Sequence, residues 1–207
     1  MKKKTKKEKR VDLAKSALII VDVQNDFCPG GALPVPDGDK VVEPLNKMIA
    51  HARKMGWPII ASRDWHPKQT THFVTGGGIW PVHCVAGTKG AEFHSELDII
   101  ADGVIISKGM GSAENAYSAF EGKTAVNLSL GYFLTKMELD KVFIGGLATD
   151  YCVKATVLDA LKLGFKVYLL KDACRAVNIK PNDGKKAIAE MKKIGAIITT
   201  VKEVLGR

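Results

Sequence analysis

The sequence predicts an α/β fold, a three-layer α/β/α sandwich with a six-stranded, mostly parallel sheet. Two observations predict it. Short runs rich in β-branched residues alternate with longer amphipathic stretches. These runs are apolar on nearly every residue, as strands are when helices cover both faces of a parallel sheet. Because crossovers between parallel strands are right-handed, the alternation produces helical layers on both sides of the sheet.

The first strand is predicted at residues 17–23, where the letters ALIIVDV are almost all apolar. A helix follows at residues 41–55, since its apolar residues fall on one side: Val42, Leu45, Met48 and Ile49. The later apolar runs predict strands at residues 58–62, 103–107, 141–145, 165–170 and 196–200. Two further amphipathic stretches predict helices at residues 151–163 and 181–194. The chain between residues 64 and 102 has little periodicity, and so long an irregular stretch in a compact domain is more often a site than a spacer.

Composition and charge favour a single globular domain. The 207 residues are 46% hydrophobic and 26% charged, which excludes wholesale disorder and a collagen-like fibre. Seven Lys or Arg and one Glu in the first ten residues supply +6 of the net charge of +9, so the rest of the chain is near balance. We therefore predict a basic, disordered tail at residues 1–12 and one domain at residues 13–207, with no specific binding of nucleic acid.

The compartment and the state of the cysteines follow from similar observations. No apolar run is long enough for a membrane span, and no apolar segment of a signal peptide follows the basic start, so we expect a cytoplasmic protein. Four cysteines without a secretion signal or a CxxC pair argue against a disulfide framework and against a four-thiolate zinc site. The oligomeric state is left open, and a homo-oligomer is compatible with the sequence.

Three chemically active residues follow predicted strands. Asp22 ends the first strand, Lys108 follows the third, and Cys152 lies where the fourth turns into a helix. Carboxyl ends of parallel strands share one edge, which is where ligands bind in open α/β sheets. Each residue alone has a commoner structural explanation, but together they indicate a thiol, a carboxylate that takes its proton and an ammonium that orients the carboxylate. We expect the helix N-terminus to lower the pKa of Cys152 and its free N–H groups to hold an oxyanion.

A second group of residues suits a metal ion. Asp64 and His66 are two residues apart at a predicted strand end, so their side chains point the same way. His83, from the irregular stretch, is a third candidate ligand, and His72 is either a fourth or a residue that supports the others. Two imidazoles and one carboxylate suit Zn²⁺, with Mn²⁺ or Fe²⁺ as alternatives, and leave positions open for water or substrate.

The sequence resembles the nicotinamidases, also called pyrazinamidases, of the isochorismatase-like cysteine hydrolase superfamily. The resemblance covers residues 16–200, and the matching segments stand in family order. They are IIVDVQNDFCPGGAL (19–33), SRDWHP (62–67), WPVHCV (80–85), IISKG (105–109), AYSAFEG (116–122) and GGLATDYCVKATVLDAL (145–161). Two departures concern the pocket wall and His72: the run after DWHP reads Thr71-His72-Phe73, and three glycines at residues 76–78 precede Trp80.

The resemblance implies a role for each site residue. Asp22, Lys108 and Cys152 correspond to the catalytic triad, and the backbone N–H groups of Ala148 and Cys152 to the oxyanion hole, next to a cis peptide before Ala148. The metal ligands correspond to Asp64, His66 and His83, with His72 close behind them. Residues at the positions that line the pyridine pocket are Phe27, Trp65 and Tyr117.

The activity that the resemblance implies is metal-dependent hydrolysis of nicotinamide, and of pyrazinamide, to the carboxylate and ammonia, as a step of NAD salvage. Two alternatives stay open. One is a sister hydrolase that acts on isochorismate or on another small amide, of the ureidoacrylate or carbamoylsarcosine type. The other is a catalytically silent member whose basic tail binds a nucleic acid or another anionic partner. The metal set disfavours the first, and the intact triad argues against the second.

Overall fold

The computed structural model describes residues 15–99, 103–113 and 115–206. Its strands are β1 (Ser16–Val21), β2 (Ile59–Asp64), β3 (Val104–Lys108), β4 (Lys141–Leu147), β5 (Lys166–Arg175) and β6 (Ile197–Thr199). Its helices are α1 (Val42–Met55), α2 (Leu130–Lys136), α3 (Cys152–Lys162), α4 (Asp183–Lys193) and α5 (Val201–Leu205). The predicted tail at residues 1–12 lies outside the described residues.

The six strands form one sheet in the order β3-β2-β1-β4-β5-β6, and every neighbouring pair is parallel. The prediction of a six-stranded, mostly parallel sheet is therefore confirmed, with no antiparallel strand in the described sheet. The chain first winds outward from β1 to β3 and then from β4 to β6. The order reverses between β1 and β4, and a ligand crevice is expected beyond the carboxyl ends of the strands at such a point.

Two apolar cores cover the two faces of the sheet. Because successive strand residues face opposite sides, Leu18 and Ile20 of β1 lie in one core while Ile19 lies in the other. The first core receives the apolar faces of α1 and α5, and the second those of α2, α3 and α4. The sandwich has the three predicted layers.

The boundaries differ from the predictions where local geometry overrides the pattern. Strand β1 ends at Val21, two residues early, because Asp22 takes a left-handed backbone conformation with φ of 49°. Helices α2 and α5 were not predicted, since seven and five residues are too few to produce a clear apolar period. Their caps are visible afterwards: Ser129 accepts a bond from Tyr132 N–H, and Thr200 forms a capping box with Glu203.

Among the helices that the structure describes, none combines the length and apolar character that crossing a membrane requires.

Candidate active site

The carboxyl edge of the sheet gathers the predicted reactive residues. Asp22 follows β1, Asp64 and Lys108 are the last residues of β2 and β3, and Cys152 is the first residue of α3 after β4. Asp64 and Lys108 are direct partners in the β2–β3 register. All four residues are buried. Four separate parts of the chain thus meet because parallel strands end together.

Lys108 is the centre of this cluster. Its Nζ lies 2.9 Å from Oδ2 of Asp22 and 3.5 Å from Sγ of Cys152, and it is in direct contact with Oδ1 of Asp64. It also donates a hydrogen bond to the carbonyl oxygen of Ala116, at 3.0 Å. Burial by itself lowers the pKa of Lys108, but the two adjacent carboxylates outweigh that effect and raise it well above its usual range. Lys108 is therefore a fixed cation between two carboxylates and a thiol.

The thiol of Cys152 and the carboxyl group of Asp22 are both buried beside the Lys108 ammonium. Burial raises the pKa of Cys152 well above its ordinary value, and a hydrogen bond with Asp22 raises it further, against the opposing effect of Lys108. Our expectation of a lowered pKa at the helix N-terminus was wrong, because burial of Cys152 raises its pKa. Burial also raises the pKa of Asp22. Both pKa values are therefore raised by burial, and the thiol lies beside a carboxyl group that can exchange a proton with it.

Three imidazoles form a second cluster at the same edge. The ligand atoms of His66, His72 and His83 all lie within 4.8 Å of one another. Oδ2 of Asp64 is 3.7 Å from Nε2 of His66 and 3.9 Å from Nε2 of His83. The predicted set of Asp64, His66 and His83 is thus brought together. The ring centroid of His72 lies 4.6 Å from that of His66 and 5.5 Å from that of His83.

Oxygen acceptors fix the orientation of each of these rings. Nδ1 of His66 is 3.0 Å from the carbonyl of Gly109, Nδ1 of His83 is 2.7 Å from that of Pro81, and Nδ1 of His72 is 3.0 Å from Oδ1 of Asn115. Each Nδ1 therefore donates to its oxygen, which leaves Nε2 as the ring nitrogen that can face a ligand. Nε2 of His66 is buried without a hydrogen-bond partner among the described residues. A buried ring nitrogen without a partner, beside a carboxylate, fits a divalent metal ion.

A cavity opens next to both clusters, and Phe27, Tyr117 and Cys152 are among its walls. Aromatic residues dominate one side: Trp80 and Tyr151 meet edge to face with ring centroids 5.0 Å apart, and Trp80 Nε1–H donates to the Tyr117 hydroxyl at 2.9 Å. The other lining residues are Leu33, Val35, Asp64, His72, His83, Asn115, Ala116, Leu147, Ala148 and Val177. The cavity suits a small planar ring.

Among aromatic residues, the resemblance named one that does not line this cavity, and two that do line it were not predicted. Trp65 is not among the lining residues. Strand alternation turns it away from Asp64, and its ring stacks on the guanidinium of Arg63, at 3.6 Å from the ring centroid. Trp80 and Tyr151 take that aromatic role instead. Their positions beside His83 in WPVHC and before Cys152 were the available signal, but no periodicity shows which way a loop side chain points.

The backbone beside Cys152 has the features expected of an oxyanion hole. The Leu147–Ala148 peptide is cis, as the resemblance implies. Within the described part of the chain, no hydrogen-bond acceptor is placed against the backbone N–H of Ala148 or of Cys152. Both residues line the cavity. Two free donors beside a thiol are suitably placed for a developing negative charge on oxygen.

The comparisons with known proteins agree with this geometry. The isochorismatase domain family matches residues 16–203. The nicotinamidase of Escherichia coli is 42% identical over 201 residues, which cover 89% of this chain and 94% of that protein. The pyrazinamidase of Pyrococcus horikoshii, solved in complex with zinc, is 48% identical with a TM-score of 0.83, over 90% of this chain and 99% of that one.

A third comparison concerns a protein with a bound pyridine carboxylate. PnC1 of L. infantum, solved in complex with nicotinate, is 35% identical with a TM-score of 0.81, over 91% of this chain and 93% of that one. The family match spans nearly all of the described residues and includes both clusters at the carboxyl edge. The chain belongs to the isochorismatase family.

Proposed function

We propose that this protein is a metal-dependent amidohydrolase that converts nicotinamide to nicotinate and ammonia through a thioester on Cys152. The observation that carries the proposal is the placement of the Cys152 thiol, with Asp22 and Lys108 behind it, at the wall of an aromatic cavity that the imidazole cluster also lines. Pyrazinamide, which has a ring of the same size, is expected to be a second substrate.

In the first half of the reaction, Asp22 accepts the thiol proton as the sulfur of Cys152 attacks the carboxamide carbon. The N–H groups of Ala148 and Cys152 hold the resulting oxyanion, and each good donor contributes about 3 kcal/mol to the transition state. Asp22 then gives its proton to the amide nitrogen. The C–N bond breaks, ammonia leaves, and the acyl group remains on Cys152.

In the second half, a water molecule replaces ammonia and attacks the thioester carbon. Asp22 accepts a proton from that water, and the oxyanion returns to the same two N–H groups. Collapse breaks the C–S bond, and Asp22 returns its proton to the sulfur. The product leaves as nicotinic acid, which ionises to nicotinate by giving its proton to the solvent. Lys108 stays charged throughout, because the carboxylates of Asp22 and Asp64 raise its pKa. It holds Asp22 in place and offsets the negative charge that passes between the carboxyl and the thiol.

Asp64, His66 and His83 would hold the metal ion, and the geometry of His72 supports it as a fourth ligand. Imidazole and carboxylate donors suit Zn²⁺, with Mn²⁺ and Fe²⁺ as alternatives. When bound, the ion would act as a Lewis acid that binds the ring nitrogen of the substrate and water. Phe27, Trp80, Tyr117 and Tyr151 would enclose the ring, so that the carboxamide faces Cys152.

The basic N-terminal segment is proposed to be an accessory to this site. The family match at residues 16–203 supports a single catalytic domain at residues 13–207, with the basic segment at residues 1–12 outside it. Deletion of residues 1–10 is therefore expected to leave hydrolysis unchanged, with no requirement for nucleic acid. We also propose that the nicotinate produced serves NAD salvage and that the enzyme acts in the cytoplasm.

The test is ammonia release from nicotinamide by the purified, zinc-loaded protein, beside Cys152→Ala. We expect release by the parent protein and a fall of at least about 10⁴-fold in the variant, because the substitution removes the nucleophile. Urea unfolding of both proteins checks that the variant is folded. Near-normal turnover by Cys152→Ala would overturn the covalent scheme. Absence of release by the folded, zinc-loaded parent protein would favour a sister amidase.

A further inference from the structure

Strand β2 extends further than its neighbour β1. The last backbone bond between the two runs from Asp22 N–H to the carbonyl of Ser62, at 3.1 Å, because the left-handed conformation of Asp22 turns the chain away. Strand β2 continues to Asp64. In a parallel sheet the backbone N–H and C=O groups of successive residues point to opposite neighbouring strands. The N–H of Trp65 donates to the carbonyl of Lys108 in β3, so the backbone groups of Asp64 point toward β1. The N–H and C=O of Asp64 thus point to where β1 has already ended.

The side chain of Gln24 occupies that place. Its Oε1 accepts a bond from Asp64 N–H at 2.8 Å, and its Nε2 donates to the Asp64 carbonyl at 2.8 Å. The same Nε2 donates to the carbonyl of Ala91 at 2.9 Å. Gln24 is fully buried. A carboxamide has the donor and acceptor of a peptide group, so Gln24 pairs with Asp64 as one more residue of β1 would.

The backbone on either side of Gln24 is anchored to a separate segment. Asn25 N–H donates to the carbonyl of Glu92 at 2.9 Å, and His94 N–H donates to that of Val23 at 2.9 Å. Gln24 itself forms an isolated antiparallel bridge with Phe93. The backbone of Gln24 is therefore fixed by residues 92–94, and the hydrogen bond from its carboxamide to Ala91 links residues 91–94 to the end of β2.

Asp64 needs this support because its carboxylate serves two groups of partners. Oδ1 contacts Lys108, while Oδ2 faces the imidazoles of His66 and His83. A carboxylate on so short a side chain follows any movement of its own backbone. We propose that Gln24 is a positioning residue that fixes the Asp64 backbone and so sets the affinity of the metal site. This inference rests on the metal-dependent function proposed above.

Two substitutions separate the parts of this role. Gln24→Met keeps the length and burial of the side chain but removes all three hydrogen bonds. Gln24→Glu keeps an acceptor for Asp64 N–H but, as a carboxylate, cannot donate to the carbonyls of Asp64 and Ala91. Both leave buried polar backbone atoms without partners, so the end of β2 loses its fixed position.

Asp172→Ala is the matched control. Like Gln24, Asp172 uses its side chain to bind a backbone group far along the chain: its Oδ1 accepts a hydrogen bond from Val201 N–H at 3.0 Å. It lies in β5 and contacts α5, away from the imidazole cluster. Its loss is expected to lower stability without affecting the metal site.

The experiment measures Zn²⁺ affinity of the intact proteins by competition with a chromophoric chelator, with urea unfolding in parallel. We expect the Kd for Zn²⁺ to rise 10- to 100-fold in Gln24→Met, as for other residues that orient metal ligands, and to stay within twofold in Asp172→Ala. Gln24→Glu should also bind more weakly than the parent protein. Excess Zn²⁺ should restore most of the kcat lost by Gln24→Met, which a purely structural defect would not allow.

A Kd for Gln24→Met that matches the control would overturn the proposal, and so would a lost kcat that excess Zn²⁺ fails to restore. Failure of the proposed function looks different. A parent protein that binds Zn²⁺ but releases no ammonia from nicotinamide refutes that function and leaves the Gln24 measurement valid. A parent protein that binds no Zn²⁺, Mn²⁺ or Fe²⁺ refutes both.

Discussion

Two buried regions of this sheet are built on opposite principles. Between the sheet and α1, the rings of Trp57, Phe143 and Tyr168 stack in a row, with centroids 4.9 Å and 4.6 Å apart. At the carboxyl edge, equally buried space holds the ammonium of Lys108, with the carboxylates of Asp22 and Asp64 and the thiol of Cys152 around it. The aromatic row gains free energy from burial, whereas each charge at the edge costs free energy unless its partners are in place. The aromatic interior stabilises the fold, and this stabilisation offsets the free-energy cost of burying the charged groups at the carboxyl edge.

Lys108→Met is the strongest test of this comparison. The substitution leaves Asp22 and Asp64 buried without their cation, and removing one partner of such a cluster costs about 3–5 kcal/mol of the free energy of unfolding. We also expect kcat/KM for nicotinamide to fall by about 10³-fold, because Asp22 loses the group that orients it. Urea unfolding and ammonia release measure the two effects. If stability stayed within 1 kcal/mol of the parent protein, the cation would not be holding the carboxylates together.

Phe143→Ala is the counterpart in the apolar region. Phe143 is fully buried between two stacked rings, so the lost burial and the cavity should lower the free energy of unfolding by about 3–5 kcal/mol. Activity per folded molecule should stay within about threefold of the parent protein, since no ring of the row lines the cavity. A specific loss of activity at conditions where the variant is fully folded would mean that the two regions are coupled.

Gly109→Ala is expected to have a smaller effect, confined to the edge. Gly109 has φ of 64°, and a Cβ there would overlap the ring of His66. Gly56→Ala is the matched control, because Gly56 has φ of 68° and no neighbour within 4 Å of such a Cβ. Both variants should lose about 1 kcal/mol of stability from the left-handed conformation. Only Gly109→Ala should weaken Zn²⁺ binding, by about tenfold. Equal Zn²⁺ affinities in the two variants would contradict the tight fit of glycine to imidazole.

The smallest expected effect is a pH dependence at the border of the aromatic row. His51 packs edge to face on Trp57, and burial, with a contribution from Lys54, lowers its pKa. As pH falls through the ordinary histidine range near 6.5, the unfolded chain binds a proton that the folded protein binds less readily. Stability contributed by neutral His51 is therefore present above that range and is lost as pH falls toward the lowered pKa. His51→Gln should reduce the difference in urea midpoint between pH 7.5 and pH 5.5. If the difference in urea midpoint between the two pH values is unchanged in His51→Gln, the pH dependence of stability comes from other groups.

The sequence predicted the features that depend on local pattern. Buried parallel strands are apolar on both faces, so all six were found, and Asp22, Asp64 and Lys108 could be placed at one edge because such strands end together. The short helices α2 and α5 were not predicted, because they complete too few turns to show an apolar periodicity. Trp65 was assigned to the pocket by resemblance, although its ring packs on Arg63, on the side of the chain opposite to Asp64.

Other features depend on groups that meet only in the folded protein. The pKa of Cys152 rises because its surroundings exclude water, and that exclusion comes from packing rather than from its place at a helix start. Gln24 reaches Asp64 across 40 residues of chain, a contact that no spacing rule indicates. By itself the sequence determined the order along the chain of the six strands and of helices α1, α3 and α4, and the residues at the edge of the sheet, because apolar periodicity and strand ends are properties of neighbouring residues. Tertiary structure alone decided which side chains share a proton, face an imidazole or complete a strand, because hydrogen bonds and desolvation depend on distances between residues far apart in the chain.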